Sequence, residues 1–191
     1  QRELNALGSA MVVRYGRPID VFRDLLREFD VAEVHTNYDY ETYAKDRDAE
    51  VTALLADAGA GFLAHKDQTI FDRDEVLTGS RTPYTVFGPY NRNWLKRAEN
   101  SFYLKAYPNE TYFSNFATLP AQPTPTLEDM GFLSVNAAFP KPDVSAELLQ
   151  KYQEMRNFPA RTGTSELGIH LRFGTISVRA LARQAAESSA T

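Results

Sequence analysis

The chain has 191 residues, a formal net charge of −4, 43% hydrophobic and 24% charged residues, and no cysteine. Such a composition suits a globular protein with one sizeable core, or a core plus a second partial unit. It excludes disulfide staples and thiolate metal sites, and the acidic balance argues against the main surface of a nucleic-acid binder, which usually carries a basic face. No apolar run is long enough to cross a bilayer, and no basic-then-apolar leader opens the sequence. The expectation is a soluble cytoplasmic monomer without a metal site.

Residues 1–7 read as the end of a helix closed by Gly8. Met11-Val12-Val13-Arg14-Tyr15 is a short β-rich run and predicts a strand. Gly16-Arg17-Pro18 opens a helix with Pro18 in its first turn. On that helix Val21, Phe22, Leu25, Leu26 and Phe29 recur at helical spacing on one face. Residues 32–36 predict a second strand, and residues 39–58 a helix ended by Gly59-Ala60-Gly61. Phe62-Leu63-Ala64 predicts a third strand. Strands alternating with helices over tight connections predict an α/β, Rossmann-like parallel sheet with right-handed crossovers. Ligands of such sheets bind beyond the carboxyl ends of the strands, where His35, Thr36, Asn37 and Asp39 lie. There is no GxGxxG, so a standard dinucleotide phosphate loop is not supported.

Residues 66–100 break this rhythm. Thr78-Gly79-Ser80-Arg81-Thr82-Pro83 is turn chemistry, and residues 89–99 predict a helix carrying Trp94. Prolines at 108, 120, 123, 125, 140 and 142 mark residues 102–144 as a long connection, of a kind that is usually functional or interdomain. Ser145 caps a helix running to about Met155. Gly163-Thr164-Ser165 predicts the opening of another helix, ended by Gly174, and Ser177 starts the last. Both chain ends read as cuts rather than natural termini.

A Gly-Thr-Ser at a helix N-terminus offers two hydroxyls and several unpaired backbone N–H groups, an anion site suited to a diphosphate. The plainer alternative is that Thr164 and Ser165 are N-caps. Arg156 alone is consistent with a solvated helix charge, and Tyr152 with an interface aromatic. His170 reads as packing or surface, Trp94 as core, and Asp46, Arg47 and Asp48 as a helix-stabilising charge network. His35, at a strand end, is open to either a structural or a functional role.

Three ordered blocks carry a resemblance. The first is Asn37-Tyr38-Asp39-Tyr40-Glu41-Thr42-Tyr43-Ala44-Lys45-Asp46-Arg47-Asp48. The second runs Glu75-Val76-Leu77-Thr78, Pro83-Tyr84-Thr85-Val86-Phe87, Pro89-Tyr90 and Trp94. The third is Tyr152, Arg156-Asn157-Phe158-Pro159-Ala160, Gly163-Thr164-Ser165-Glu166-Leu167 and Leu171-Arg172-Phe173-Gly174-Thr175-Ile176-Ser177. Together they resemble the DNA photolyase/cryptochrome family. The resemblance implies an antenna domain over residues 1–100 that lacks its first strand, a linker over 101–144, and the beginning of an all-α flavin-binding domain over 145–191. It implies that Tyr152, Thr164, Ser165, Glu166, Leu167 and Gly168 contact FAD, chiefly its phosphates, and that Arg156 reaches a DNA phosphate near the lesion. Gly168 stands where the family commonly has a second serine, so one hydroxyl contact is lost.

The resemblance also bears on the antenna chromophore. Tyr43-Ala44 stands where folate-binding members tend to carry Asn-Glu, so a folate is not supported. Asp39, Glu41 and Arg172 match positions that reach a deazaflavin in members that use one. The alternative is that Asp39 and Glu41 cap the helix they precede, or that the pocket is empty. The implied activity of the parent is light-dependent splitting of cyclobutane pyrimidine dimers, with no catalytic residue of its own in this segment, and the 191 residues alone are expected to be inactive. The rivals are a cryptochrome-type blue-light receptor and a nucleotide-binding α/β module without photochemistry. The latter fits residues 1–65 only.

Overall fold

The computed structural model describes residues 1–135 and 137–189. Residues 190 and 191, which the helical pattern at the end of the sequence includes, lie outside the described residues. The chain folds as two compact units: Gln1–Lys66 with Tyr107–Ala137, and Asp67–Ala106 with Ala138–Thr191.

In the first unit, α1 (Arg2–Ala6) ends at Gly8, whose φ of 75° places it in the left-handed region glycine tolerates. α2 (Pro18–Glu28) starts with Pro18 in the first turn, where a missing N–H costs nothing. β1 (Glu33–Asn37), α3 (Thr42–Asp57) and β2 (Gly61–His65) follow, and β1 pairs with β2 in parallel, from Glu33 opposite Gly61 to Asn37 opposite His65. The crossover helix closes with a Schellman motif: the Ala60 N–H donates to Leu55 O at 2.8 Å and that of Gly59 (φ 76°) to Ala56 O at 3.0 Å. The core lies between the helices and this sheet. Val51, Leu55 and Ala60 are buried, and Phe22, Leu26, Val31, Val34 and Phe62 pack on them. Phe22 and Leu26 belong to the apolar stripe expected on α2.

Two expectations for this unit are corrected. Residues 11–15 form no strand, since β1 and β2 pair with each other and that segment has no ladder partner. Instead Val12 lines an apolar cleft of about 240 Å³ with Phe22, Leu25, Phe29, Val34 and Leu119. Arg14 forms a salt bridge with Glu28 at 2.8 Å. The helix expected from residue 39 starts three residues later. Asp39 Oδ1 accepts from the N–H groups of Tyr40 (2.6 Å) and Glu41 (3.2 Å), holding a turn there in place of a helical one.

In the second unit, α4 (Phe87–Ala98) carries Trp94, which meets Phe71 edge-on at 5.3 Å. Phe71 in turn touches Tyr103 at 4.8 Å, in a short 3-10 turn (Ser101–Tyr103). α5 (Ala146–Met155), α6 (Gly168–Phe173) and α7 (Val178–Ser189) complete the unit. Ser145 caps α5 as expected, its hydroxyl accepting from Leu148 N–H at 3.1 Å. α7 is tied down by polar bonds. The guanidinium of Arg179, 8% exposed, pairs with Asp67 at 2.9 Å. Arg183 donates to Leu104 O, and Gln184 donates to Val144 O at 2.8 Å.

Candidate functional site

The residues of the third sequence block lie in the second unit, along α5, the turns that follow it, and α6. α5 projects Tyr152, 43% exposed, one turn before its end. Arg156, the C-cap residue, sends its N–H to Tyr152 O at 2.9 Å and lays its guanidinium 5.7 Å from the centre of the Tyr152 ring. Arg161 does the same over Phe158 at 4.9 Å, a second cation–aromatic pair that sequence reasoning did not single out. A Phe-x-x-Arg spacing at a turn is the signal that could have suggested it.

The chain then doubles back across the end of α5. At Gly163 a Cβ would lie 2.7 Å from Met155 Cβ and 2.8 Å from the Met155 carbonyl carbon and oxygen. Only glycine lets the two backbones approach this closely. Thr164 and Glu166 are exposed, Ser165 is half-buried, and Leu167 is 2% exposed and part of the core. Neither the Thr164 nor the Ser165 hydroxyl has a hydrogen-bond partner among the described residues.

The expected helix N-terminus at Gly163-Thr164-Ser165 is corrected here. α6 begins at Gly168, with Leu167 as its N-cap residue, so neither Thr164 nor Ser165 caps it. Glu166 has a φ of 53°. A left-handed residue cannot sit inside a right-handed helix, so the helix begins only beyond it. What the segment offers an anion is therefore a polar turn of two hydroxyls and backbone N–H groups rather than a helix end. Beside it, a cleft of about 250 Å³ is lined by Ser145, Glu147, Leu148, Lys151, Met155, Thr162 and Gly163. Its charged wall is a pair: Lys151 Nζ donates to Glu147 at 2.7 Å, which lowers the Glu147 carboxyl from its ordinary value and raises the Lys151 ammonium.

His170 on α6 is structural, as expected. Its Nε2 lies 2.8 Å from Pro140 O and its Nδ1 2.7 Å from Thr175 Oγ1. A carbonyl can only accept, so Nε2 carries the proton and Nδ1 receives the threonine hydroxyl. Arg172 lies in the last turn of α6. Asp39 and Glu41 lie in the first unit, in the turn between β1 and α3, where Asp39 Oδ1 accepts from the Tyr40 and Glu41 N–H groups ahead of the helix and Glu41 occupies the N-cap position without a side-chain cap bond. Of the charge network expected on α3, the structure shows one pair, Arg47 on Asp48 at 2.7 Å. No described helix is long and apolar enough to cross a membrane.

The family model described as DNA photolyase matches residues 1–111. Among curated proteins, the deoxyribodipyrimidine photo-lyase of Synechococcus sp. is 31% identical over 207 aligned positions that take in 100% of this chain and 42% of that protein. That of Halobacterium salinarum is 30% identical over 96% of this chain and 41% of that protein. Cryptochrome-1 of Erithacus rubecula is 34% identical over 84 residues, 43% of this chain and 14% of that protein. The chain thus spans about two fifths of the length of the photo-lyases it matches.

Proposed function

The chain belongs to the DNA photolyase family, and from that premise we propose that it forms part of a light-driven flavoprotein that splits cyclobutane pyrimidine dimers in DNA. The observation that carries this reading is the polar turn at Thr164 and Ser165. Its two hydroxyls are unpartnered among the described residues, and the turn is held by Gly163 against the helix bearing Tyr152 and Arg156. Alignment with two photo-lyases across almost the whole chain supports it.

In this reading Tyr152, Thr164, Ser165, Glu166, Leu167 and Gly168 hold the phosphate end of FAD. The donor set fits such a group, because hydroxyl and backbone N–H donors both suit phosphate oxygens. Leu167, with its side chain in the core, contributes its backbone alone. A reduced flavin, when bound, supplies the light-excited electron donor that opens the dimer. Arg156 meets a phosphate of DNA whose damaged bases are turned out of the stack, and the Tyr152 ring beneath it fixes the guanidinium. Asp39 and Glu41 are proposed to face a deazaflavin-type antenna rather than a folate.

Residues 1–100 are assigned to the antenna domain, 101–144 to the connector and 145–191 to the start of the flavin domain. The protein is proposed to act as a cytoplasmic monomer. The 191 residues alone, which span about two fifths of the photo-lyases they match, are proposed not to retain FAD or repair DNA. The similarity to Cryptochrome-1 over 84 residues supports a second reading, a blue-light receptor without repair. The test is illumination of dimer-containing DNA with the flavin-loaded parent protein. Light-dependent loss of dimers supports repair, and a flavin-loaded protein that leaves them intact favours the receptor.

A further inference from the structure

We propose that His35 and His65 form a surface site for a Cu(II)-type transition-metal dication, with Glu33 as its outer-shell carboxylate. The chain has three histidines. His170 stands on α6, its ring held between Pro140 O and Thr175 Oγ1. The other two stand on the neighbouring strands β1 and β2 and share one face of the sheet, because the register pairs His35 with Leu63 and Asn37 with His65. Their ring planes lie within 11° of each other and meet edge to edge, with centres 5.2 Å apart and His35 Nδ1 2.9 Å from His65 Nε2.

The separation is that of an N–H···N hydrogen bond, with the two nitrogens meeting head-on. An ion held by both nitrogens, about 2.0–2.1 Å from each, takes the place of the shared proton once the rings swing so that their lone pairs converge, as cis ligands do in the tetragonal geometry Cu(II) favours. Glu33 Oε2 lies 3.3 Å from His35 Nε2. A carboxylate accepts, so Nε2 holds the proton and Nδ1 presents its lone pair toward His65. A carboxylate orienting one nitrogen while the other faces the ion is the usual outer-shell arrangement of metal-bound histidine. Rotation of these exposed side chains turns the two lone pairs onto one ion, and a shift of the His65 proton to Nδ1 leaves both ligands as neutral imidazoles.

Among the described residues no group of three or more His, Cys, Asp or Glu is set to hold a metal. The site is therefore an open one of two protein nitrogens completed by water, exchangeable rather than a structural cage. A bound ion would pin β1 to β2 where the Tyr38 N–H meets His65 O at 3.0 Å, at the root of the turn carrying Asp39 and Glu41.

The test is Cu(II) titration of the metal-free 191-residue chain, N-terminally acetylated to remove the terminal amine as a ligand, read by electron paramagnetic resonance and competition with a chelator. One equivalent with hyperfine coupling to two nitrogens is expected. H35Q or H65Q loses one nitrogen and at least about tenfold in affinity, and Glu33→Gln weakens binding by roughly 10–100-fold. H170Q changes nothing. Circular dichroism of the metal-free variants verifies that each is folded. Unchanged affinity in the H35Q/H65Q double variant, or loss of binding in H170Q, overturns the proposal.

Discussion

The Arg156 guanidinium rests over the Tyr152 ring at 5.7 Å, one helical turn away at the end of α5. The residue assigned to DNA and an aromatic assigned to the flavin thus hold each other. Exposed pairs of this kind contribute about 0.5–1 kcal/mol. In the parent protein, Arg156→Ala is expected to weaken binding to damaged and undamaged DNA alike and to lower the slope of log affinity against log salt by about 0.9, one phosphate contact. Tyr152→Ala is expected to leave that slope within a few tenths while lowering flavin retention. Equal salt slopes for wild type and Arg156→Ala would remove Arg156 from the DNA interface.

The glycines of the candidate site are predicted to differ in what they tolerate. Gly163→Ala drives a Cβ into the Met155 backbone at 2.8 Å, which cannot yield as a side-chain end can. An overpacking loss of about 1–3 kcal/mol is expected in chemical denaturation. Gly168 has nothing within 4 Å of its would-be Cβ. Gly168→Ser should leave stability within about 0.5 kcal/mol of wild type, as surface changes usually do. In the parent it should slow flavin loss, because it adds a hydroxyl beside Thr164 and Ser165. Faster flavin loss in Gly168→Ser would argue against a phosphate at this turn.

Leu55 on α3, 0% exposed, is the largest fully buried side chain among the described residues, in the core that Phe22 and Leu26 of α2 and Val34 and Phe62 of the sheet complete. Leu55→Ala is expected to cost about 2–5 kcal/mol, from lost burial and the cavity left behind. Unfolding followed by circular dichroism reads this directly, and a loss below about 1 kcal/mol would mean that the site collapses around the smaller residue.

The Glu147–Lys151 pair gives a pH prediction. The hydrogen bond from Lys151, and secondarily its charge, holds the Glu147 carboxyl below its ordinary range. A depressed carboxyl contributes stability above its unfolded value and loses it as pH falls through the folded one. Lys151 is raised by the same hydrogen bond, so its contribution is present below its unfolded value and is lost as pH rises through the folded one. The pair is therefore intact across the neutral range. Lys151→Ala should raise the Glu147 titration midpoint in NMR, with the difference shrinking in high salt because both groups are exposed.

The strand–helix–strand pattern was legible because it is written in local chemistry: Pro18 at a helix start, the apolar stripe from Phe22 to Phe29, and Gly59 at a helix end. Met11 to Tyr15 was misread as a strand because β-propensity says nothing of whether a partner exists. The helix start at Thr164 was misread because the motif's residue types suit a cap, whereas the conformation of Glu166 (φ 53°) is fixed by how the chain packs after Gly163. The His35–His65 pair was invisible for a similar reason. Thirty residues separate the two, and only the parallel register brings them to 2.9 Å.

The most direct test of the central claim is to incubate the flavin-loaded parent protein with DNA carrying a single cyclobutane dimer, in blue light and in the dark, and to count intact dimers. Repair that occurs in light alone, and that Tyr152→Ala lowers together with flavin content, is the result predicted. Dimers that persist in light despite stoichiometric flavin would contradict it.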